Sequence, residues 1–109
     1  MITSNVKRGS AELAVLTTLA SAPAHGYELA RRIEDETGKA LRFTLASLYP
    51  LLYKLEADGL VKGEWRSSEG RRRRYYLLTP KGRARLRPLR EEWQAFIGAI
   101  QKLTALADA

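Results

Sequence analysis

The chain has 109 residues, 45% hydrophobic and 28% charged, which is the size and composition of one folded globular domain rather than a disordered tail. With no cysteine, it excludes disulfides, thiolate catalysis and cysteine-ligated zinc or iron–sulfur sites, and a reducing compartment suits it. Nineteen Lys and Arg against 12 Asp and Glu give a net charge of +7 and point to a polyanionic partner; the excess is sharpest at Arg71 to Arg74.

Met1 to Arg8 lack the apolar run of a signal peptide, and no apolar stretch approaches the roughly 18 residues that span a bilayer, so a cytoplasmic protein without membrane contact is expected. After Gly9, Ser10 is a candidate N-cap for a first helix over about Ala11 to Ala22, with Leu13, Val15, Leu16, Leu19 and Ala20 on its inner side. Pro23 ends it. A second helix opens at Gly26, with Tyr27, Ala30 and Ile33 facing one way, and stops at Gly38. Thr44 or Ser47 can cap a third helix whose Leu48, Leu51, Leu52 and Leu55 form a buried stripe up to Asp58-Gly59. If Ser47 is the cap, Pro50 sits harmlessly in the first turn; if Thr44 is, Pro50 breaks one interior hydrogen bond.

Leu60 to Trp65 and Tyr75 to Leu78 read as two strands, and Gly70 can supply the positive φ of a hairpin turn, so the four arginines are expected at a basic tip. Thr79-Pro80 then reads as an N-cap followed by proline at the first helical position. In the final helix Leu86, Leu89, Trp93, Phe96, Ile100, Leu103 and Ala107 alternate in steps of three and four, a heptad seam that predicts pairing with a second copy. Pro88 is expected to kink or restart that helix.

Three helices, a hairpin and a long last helix are mainly α with a small β-hairpin: a winged helix-turn-helix domain over 1–79 with a C-terminal dimerisation helix over 80–109. Such a fold places its third helix in the major groove of duplex DNA. That helix offers Thr44, Ser47, Tyr49, Tyr53 and Lys54 to bases or phosphates, the hairpin offers Arg71, Arg72, Arg73 and Arg74 to phosphates or the minor groove, and Lys7 and Arg8 add charge at the N-terminus. Trp93 and Phe96 on the seam are candidate walls for a small aromatic or apolar effector as well as dimer contacts. His25, the one histidine, is too few for a triad or a metal site and is expected to pack or cap a helix. Glu34, Asp35 and Glu36 point in different directions on a helix, and no glycine-rich phosphate loop or nucleophile elbow is present, so no catalysis, cofactor or metal is expected.

The stretches Arg8-Gly9-Ser10, Pro23 to Leu29 (PAHGYEL), Leu48 to Leu52 (LYPLL), Leu55 to Leu60 (LEADGL), Gly70 to Tyr76 (GRRRRYY) and Leu78 to Gly82 (LTPKG) resemble, in order, the PadR family of transcriptional regulators. The resemblance implies a dimeric repressor, often relieved by a small molecule, whose wing and third helix touch an inverted-repeat operator. A basic RNA-binding module and a winged-helix protein–protein adaptor are the alternatives, since positive charge alone does not distinguish RNA from DNA.

Overall fold

Leucines at helical spacing draw three helices around one core in the computed structural model, which describes residues 3–108 and the side chains of residues 9–108. In chain order the elements are α1 (Thr3–Ser21), β1 (Ala24–His25), α2 (Gly26–Glu36), α3 (Leu45–Ala57), β2 (Val61–Ser68), β3 (Arg71–Leu78) and α4 (Pro80–Asp108). Val15, Leu16 and Leu19 of α1, Leu29 and Ile33 of α2, and Leu48, Leu52 and Leu55 of α3 are all buried. Each fully buried leucine contributes about 1.5–3 kcal/mol relative to exposure. Among the described residues, no helix is long and apolar enough to cross a membrane.

Helix α1 starts well before the expected Ser10 cap, at Thr3, with Gly9 and Ser10 inside it. Gly9 borders open space, so it lowers helix propensity by about 1 kcal/mol without forcing an end. In α2 the buried stripe is Gly26, Leu29 and Ile33, whereas Tyr27, expected on the inner face, is 60% exposed. Stepping three and then four residues from Gly26 reaches Leu29 and Ile33 and leaves Tyr27 on the flank. Helix α2 ends at Thr37, and Gly38 at φ +60° returns its N–H to the Asp35 carbonyl while Lys39 returns its own to Glu34.

Thr44 is the N-cap of α3: its hydroxyl accepts from the Ser47 N–H at 3.1 Å. Pro50 therefore lies inside the helix, on its exposed side, and leaves the Ala46 carbonyl without its helical donor. The other end closes in the same manner as α2, with Gly59 at φ +75° donating to Glu56 and Leu60 donating to Leu55.

The sheet has three antiparallel strands in the order β1-β3-β2, one more than expected. Strand β1 is only two residues, Ala24 against Tyr76 and His25 against Tyr75, too short to leave a periodic signal. The hairpin turn is Glu69-Gly70, with φ of +52° and +76°, the pairing that suits the right-handed twist of two strands. So tight a turn carries pairing out to Ser68 opposite Arg71, and the four arginines lie within β3 rather than at the tip.

Helix α4 runs as one element through Pro88. Leu89, expected on the dimer seam, is buried in the core of its own chain, and the half-buried Leu86 packs against that core, in a helix that lies along α1. Arg85 pairs with Glu12 across the same contact at 3.8 Å.

The helix starts where Thr79 accepts the Gly82 N–H at 3.0 Å and donates its hydroxyl to the Gly59 carbonyl at 2.6 Å. A Cβ at Gly82 would collide with the Leu60 carbonyl oxygen, which is backbone and cannot step aside. Gly82→Ala should cost about 1–3 kcal/mol of unfolding free energy, measured by urea titration; an unchanged midpoint would mean that α4 can shift away at no cost.

Candidate nucleic-acid interface

Because β3 alternates faces, its arginines divide. Arg72 and Arg74 share a face with Trp65, which pairs with Arg74, while Arg71 and Arg73 share the opposite face with Tyr75. On the first face the Arg72 guanidinium lies 5.2 Å and that of Arg74 5.7 Å from the Trp65 ring centre, both within cation–π range. On the second, Arg66 sits 5.3 Å from the Tyr75 ring and also pairs with Glu64 at 3.2 Å.

The four cations are not equivalent. Arg74 is half-buried and ion-paired to Glu56 of α3. The half-buried Arg73 has its Nη1 2.8 Å from Nε2 of His25. Arg71 and Arg72 are exposed and stand nearest the turn. All four, with Tyr49 and Tyr53 of α3, line one open cleft of about 610 Å³ between α3 and the hairpin. Trp65, Tyr27, His25 and the wholly buried Tyr76 complete its walls. Burial pushes the Tyr76 phenol up, so it stays protonated, and its hydroxyl has no hydrogen-bond partner among the described residues.

On α3, Ser47, Pro50, Tyr53 and Lys54 form the exposed side, directly opposite Leu48, Leu52 and Leu55. Thr44 and Ser47 are exposed at its N-terminus and hydrogen-bond to each other at 3.2 Å. Lys54 makes only a surface pair with Asp58, at 3.3 Å, a contact worth little in water. Tyr53 is 57% exposed and stacks on Tyr49 with ring centres 6.0 Å apart. Tyr49 itself is half-buried, with its hydroxyl 2.7 Å from where a Gly26 Cβ would stand. Of the two tyrosines, both read as candidates for DNA contact with Tyr49 favoured, Tyr53 is the more exposed. Lys7 and Arg8 fall in α1, but their side chains lie outside the described residues.

Trp65 and Glu56 carried no signal when read alone. Trp65 reads as a strand residue; only the register set by the two-residue turn shows that it stacks two arginines. Among the described residues, no group of three His, Asp or Glu side chains is arranged to hold a metal ion.

The cleft is concave, mixed aromatic and cationic, and bordered on α3 by Tyr49 and Tyr53. Chemically it can screen a row of anions while flat rings lie against sugars or bases. The model of the transcriptional regulator PadR-like family matches residues 15–88. A transcriptional regulator of Mycobacterium tuberculosis is 39% identical over 80 residues, spanning 73% of this chain and 72% of the relative. The solved structure of a transcriptional regulator from Clostridium thermocellum superposes with a TM-score of 0.81 at 30% identity, covering 91% of this chain and 97% of that one. A PadR family regulator from Eggerthella lenta gives a TM-score of 0.78 at 31% identity, over 92% and 86%.

His25 caps α2, its Nδ1 accepting the Glu28 N–H at 3.2 Å, as its position before Gly26 suggests. A neutral imidazole has one acceptor nitrogen, yet two donors, the Glu28 N–H and Arg73, converge on this ring. Burial, then the Arg73 charge, hold its pKa below the ordinary 6.5, with Glu28 opposing. A folded value below the unfolded one means that the unfolded chain takes up the proton first. Stability from His25 is therefore complete above 6.5 and is lost as pH falls from 6.5 towards the folded value. Unfolding free energy should fall between about pH 7.5 and about pH 5.5, and His25→Asn, which keeps a capping oxygen, should flatten that slope. Equal slopes in both proteins would show that His25 does not titrate on unfolding.

Proposed function

Because the chain belongs to the PadR-like family of transcriptional regulators, we propose that it binds duplex DNA sequence-specifically as a homodimer and represses transcription until a small molecule releases it. The family's members are regulators rather than enzymes.

One observation supports the DNA reading above the others: Tyr53, on the exposed side of α3, and the arginines of β3 line the same cleft. In this reading α3 enters the major groove and presents Ser47, Tyr53 and Lys54, with Thr44 at its entrance. Arg71 and Arg72 lie along phosphates or reach the adjacent minor groove. Tyr49 serves instead as a brace between α2 and α3, and Arg73 and Arg74 as braces within the head.

The dimer reading rests on α4. Once Leu86 and Leu89 are used within the chain, the outer part of the helix still exposes Ile97, Ile100, Leu103 and Leu106, the last two at 63% and 72%. Phe96 is half-buried and packs edge-on against Trp93 at 5.7 Å between ring centres. A second copy covering this strip sets two heads side by side, and twofold symmetry then calls for a pseudo-palindromic site with half-sites about one helical turn, or a multiple of one, apart. The effector reading rests on a largely apolar pocket of about 480 Å³ where Trp93 meets Leu13, Ile33, Leu41 and Phe43.

Replacing both Arg71 and Arg72 by alanine should weaken binding to every duplex and flatten the log–log salt dependence by roughly 0.9 for each phosphate that the variant no longer neutralises. Unchanged slope and affinity would remove β3 from the interface. The unmodified protein should sediment as a dimer at concentrations on the order of tens of micromolar, and the double variant Ile100→Glu with Leu103→Glu as a monomer. A monomeric wild type would end the dimer reading.

A further inference from the structure

Helix α3 and the hairpin are joined near the cleft through one carboxylate. A single oxygen of Glu56, in the last turn of α3, accepts the Gly63 N–H of β2 at 3.3 Å and a guanidinium N–H of Arg74 of β3 at 2.5 Å. The Glu56 and Arg74 side chains are each only 31% exposed, so the pair is shielded from solvent on most sides. Arg74 lies flat over Gly63: a Cβ there would stand 2.5 Å from its Nε and Nη2. The same guanidinium stands 5.7 and 6.0 Å from the ring centres of Trp65 and Tyr76. One acidic side chain thus grips both strands of the hairpin, and the absence of a side chain at 63 lets the grip close.

We propose that Glu56 is the positioning residue that fixes the angle between α3 and the hairpin, and that it sets sequence discrimination without touching DNA. The inference rests on the DNA-binding reading above. Discrimination requires α3 to be seated at one depth in its groove while the wing meets phosphates a fixed distance away; a wing free to swing still finds phosphates but no longer seats α3. Neutralising Glu56 also removes an anion from a cationic surface, so non-specific attraction does not fall.

The test compares wild type with Glu56→Gln and Gly63→Ala. Glu56→Gln removes the charge, whereas Gly63→Ala displaces the Arg74 guanidinium sterically and leaves every charge in place. Backbone amide order parameters of the free proteins should fall across residues 62–75 in both variants, with α1 and α2 unchanged. Against a duplex selected by the wild type from a random pool, affinity should fall at least about tenfold, while affinity for random duplex stays within about twofold and thermal midpoints stay close to wild type. Parallel losses on both duplexes, or an unchanged ratio between them, would overturn the inference. So would unaltered wing order parameters, whatever the DNA result. A wild type that selects no sequence at all would instead refute the DNA-binding reading, and the order parameters would still decide whether Glu56 holds the wing. Should Glu56→Gln fail to fold, Gly63→Ala carries the same comparison.

Discussion

The turn at Asp58-Gly59-Leu60 is the constraint on which the rest of the molecule hangs. Gly59 takes the left-handed conformation that closes α3, and Leu60, its N–H returned to Leu55, turns the chain straight into β2. The carbonyls this turn exposes are taken by the start of α4: Thr79 donates its hydroxyl to Gly59 and its N–H to Leu60, and Lys81 reaches the Asp58 carbonyl at 2.8 Å. Three elements with different tasks, α3, the hairpin and α4, therefore radiate from one hydrogen-bonded knot. Gly82 makes the knot possible, because only a residue without a Cβ lets α4 pass so close to the Leu60 carbonyl.

From that knot the two-residue turn determines what each arginine can do. Were the four at a loose tip, all would be equally free and each would be a solvated cation. Held in register, they alternate, and geometry separates two that are occupied from two that are not. Arg74 belongs to Glu56 and Arg73 faces His25, whereas Arg71 and Arg72 are exposed and, among the described residues, are in none of the ion pairs. Trp65 orders Arg72 without neutralising it, which lowers the entropy lost when that side chain meets an anion.

Helix existence and order were legible from periodicity because the buried stripes of α1 and α3 are long and regular, and the Thr79-Pro80 start was legible because its two residues have separate mechanical reasons to be there. The His25 cap was legible for a similar reason, since a polar ring just before Gly26 has an open N–H to satisfy. What escaped was whatever depends on pairing between distant segments. Strand β1 exists only because β3 passes beside it, and the extent of β3 followed from a Glu69 willing to adopt positive φ, a choice with no sequence signature. The roles of Glu56 and Trp65 needed the register of β2 on β3 before either had a partner. A heptad count likewise cannot say which chain a leucine will pack against; Leu89 satisfied the seam pattern and was taken by its own core.

That division of the α4 seam gives Trp93 its particular position. Leu86 and Leu89 before it pack on the core, Ile97, Ile100, Leu103 and Leu106 after it are exposed, and Trp93 is half-buried at the change-over. Its ring borders the apolar pocket formed with Leu13, Ile33 and Phe43, and the same side chain, with Ile97 and again Leu13 of α1, edges a second groove between α1 and α4. In the proposed dimer the partner helix covers the exposed strip that begins at Ile97, so the indole stands between a cavity in its own chain and that strip. Cores respond to added volume by shifting whole elements rather than by local compression. In the proposed effector reading, a molecule held in that pocket lies against the indole and, through it, against α4, whose start is fixed at Thr79.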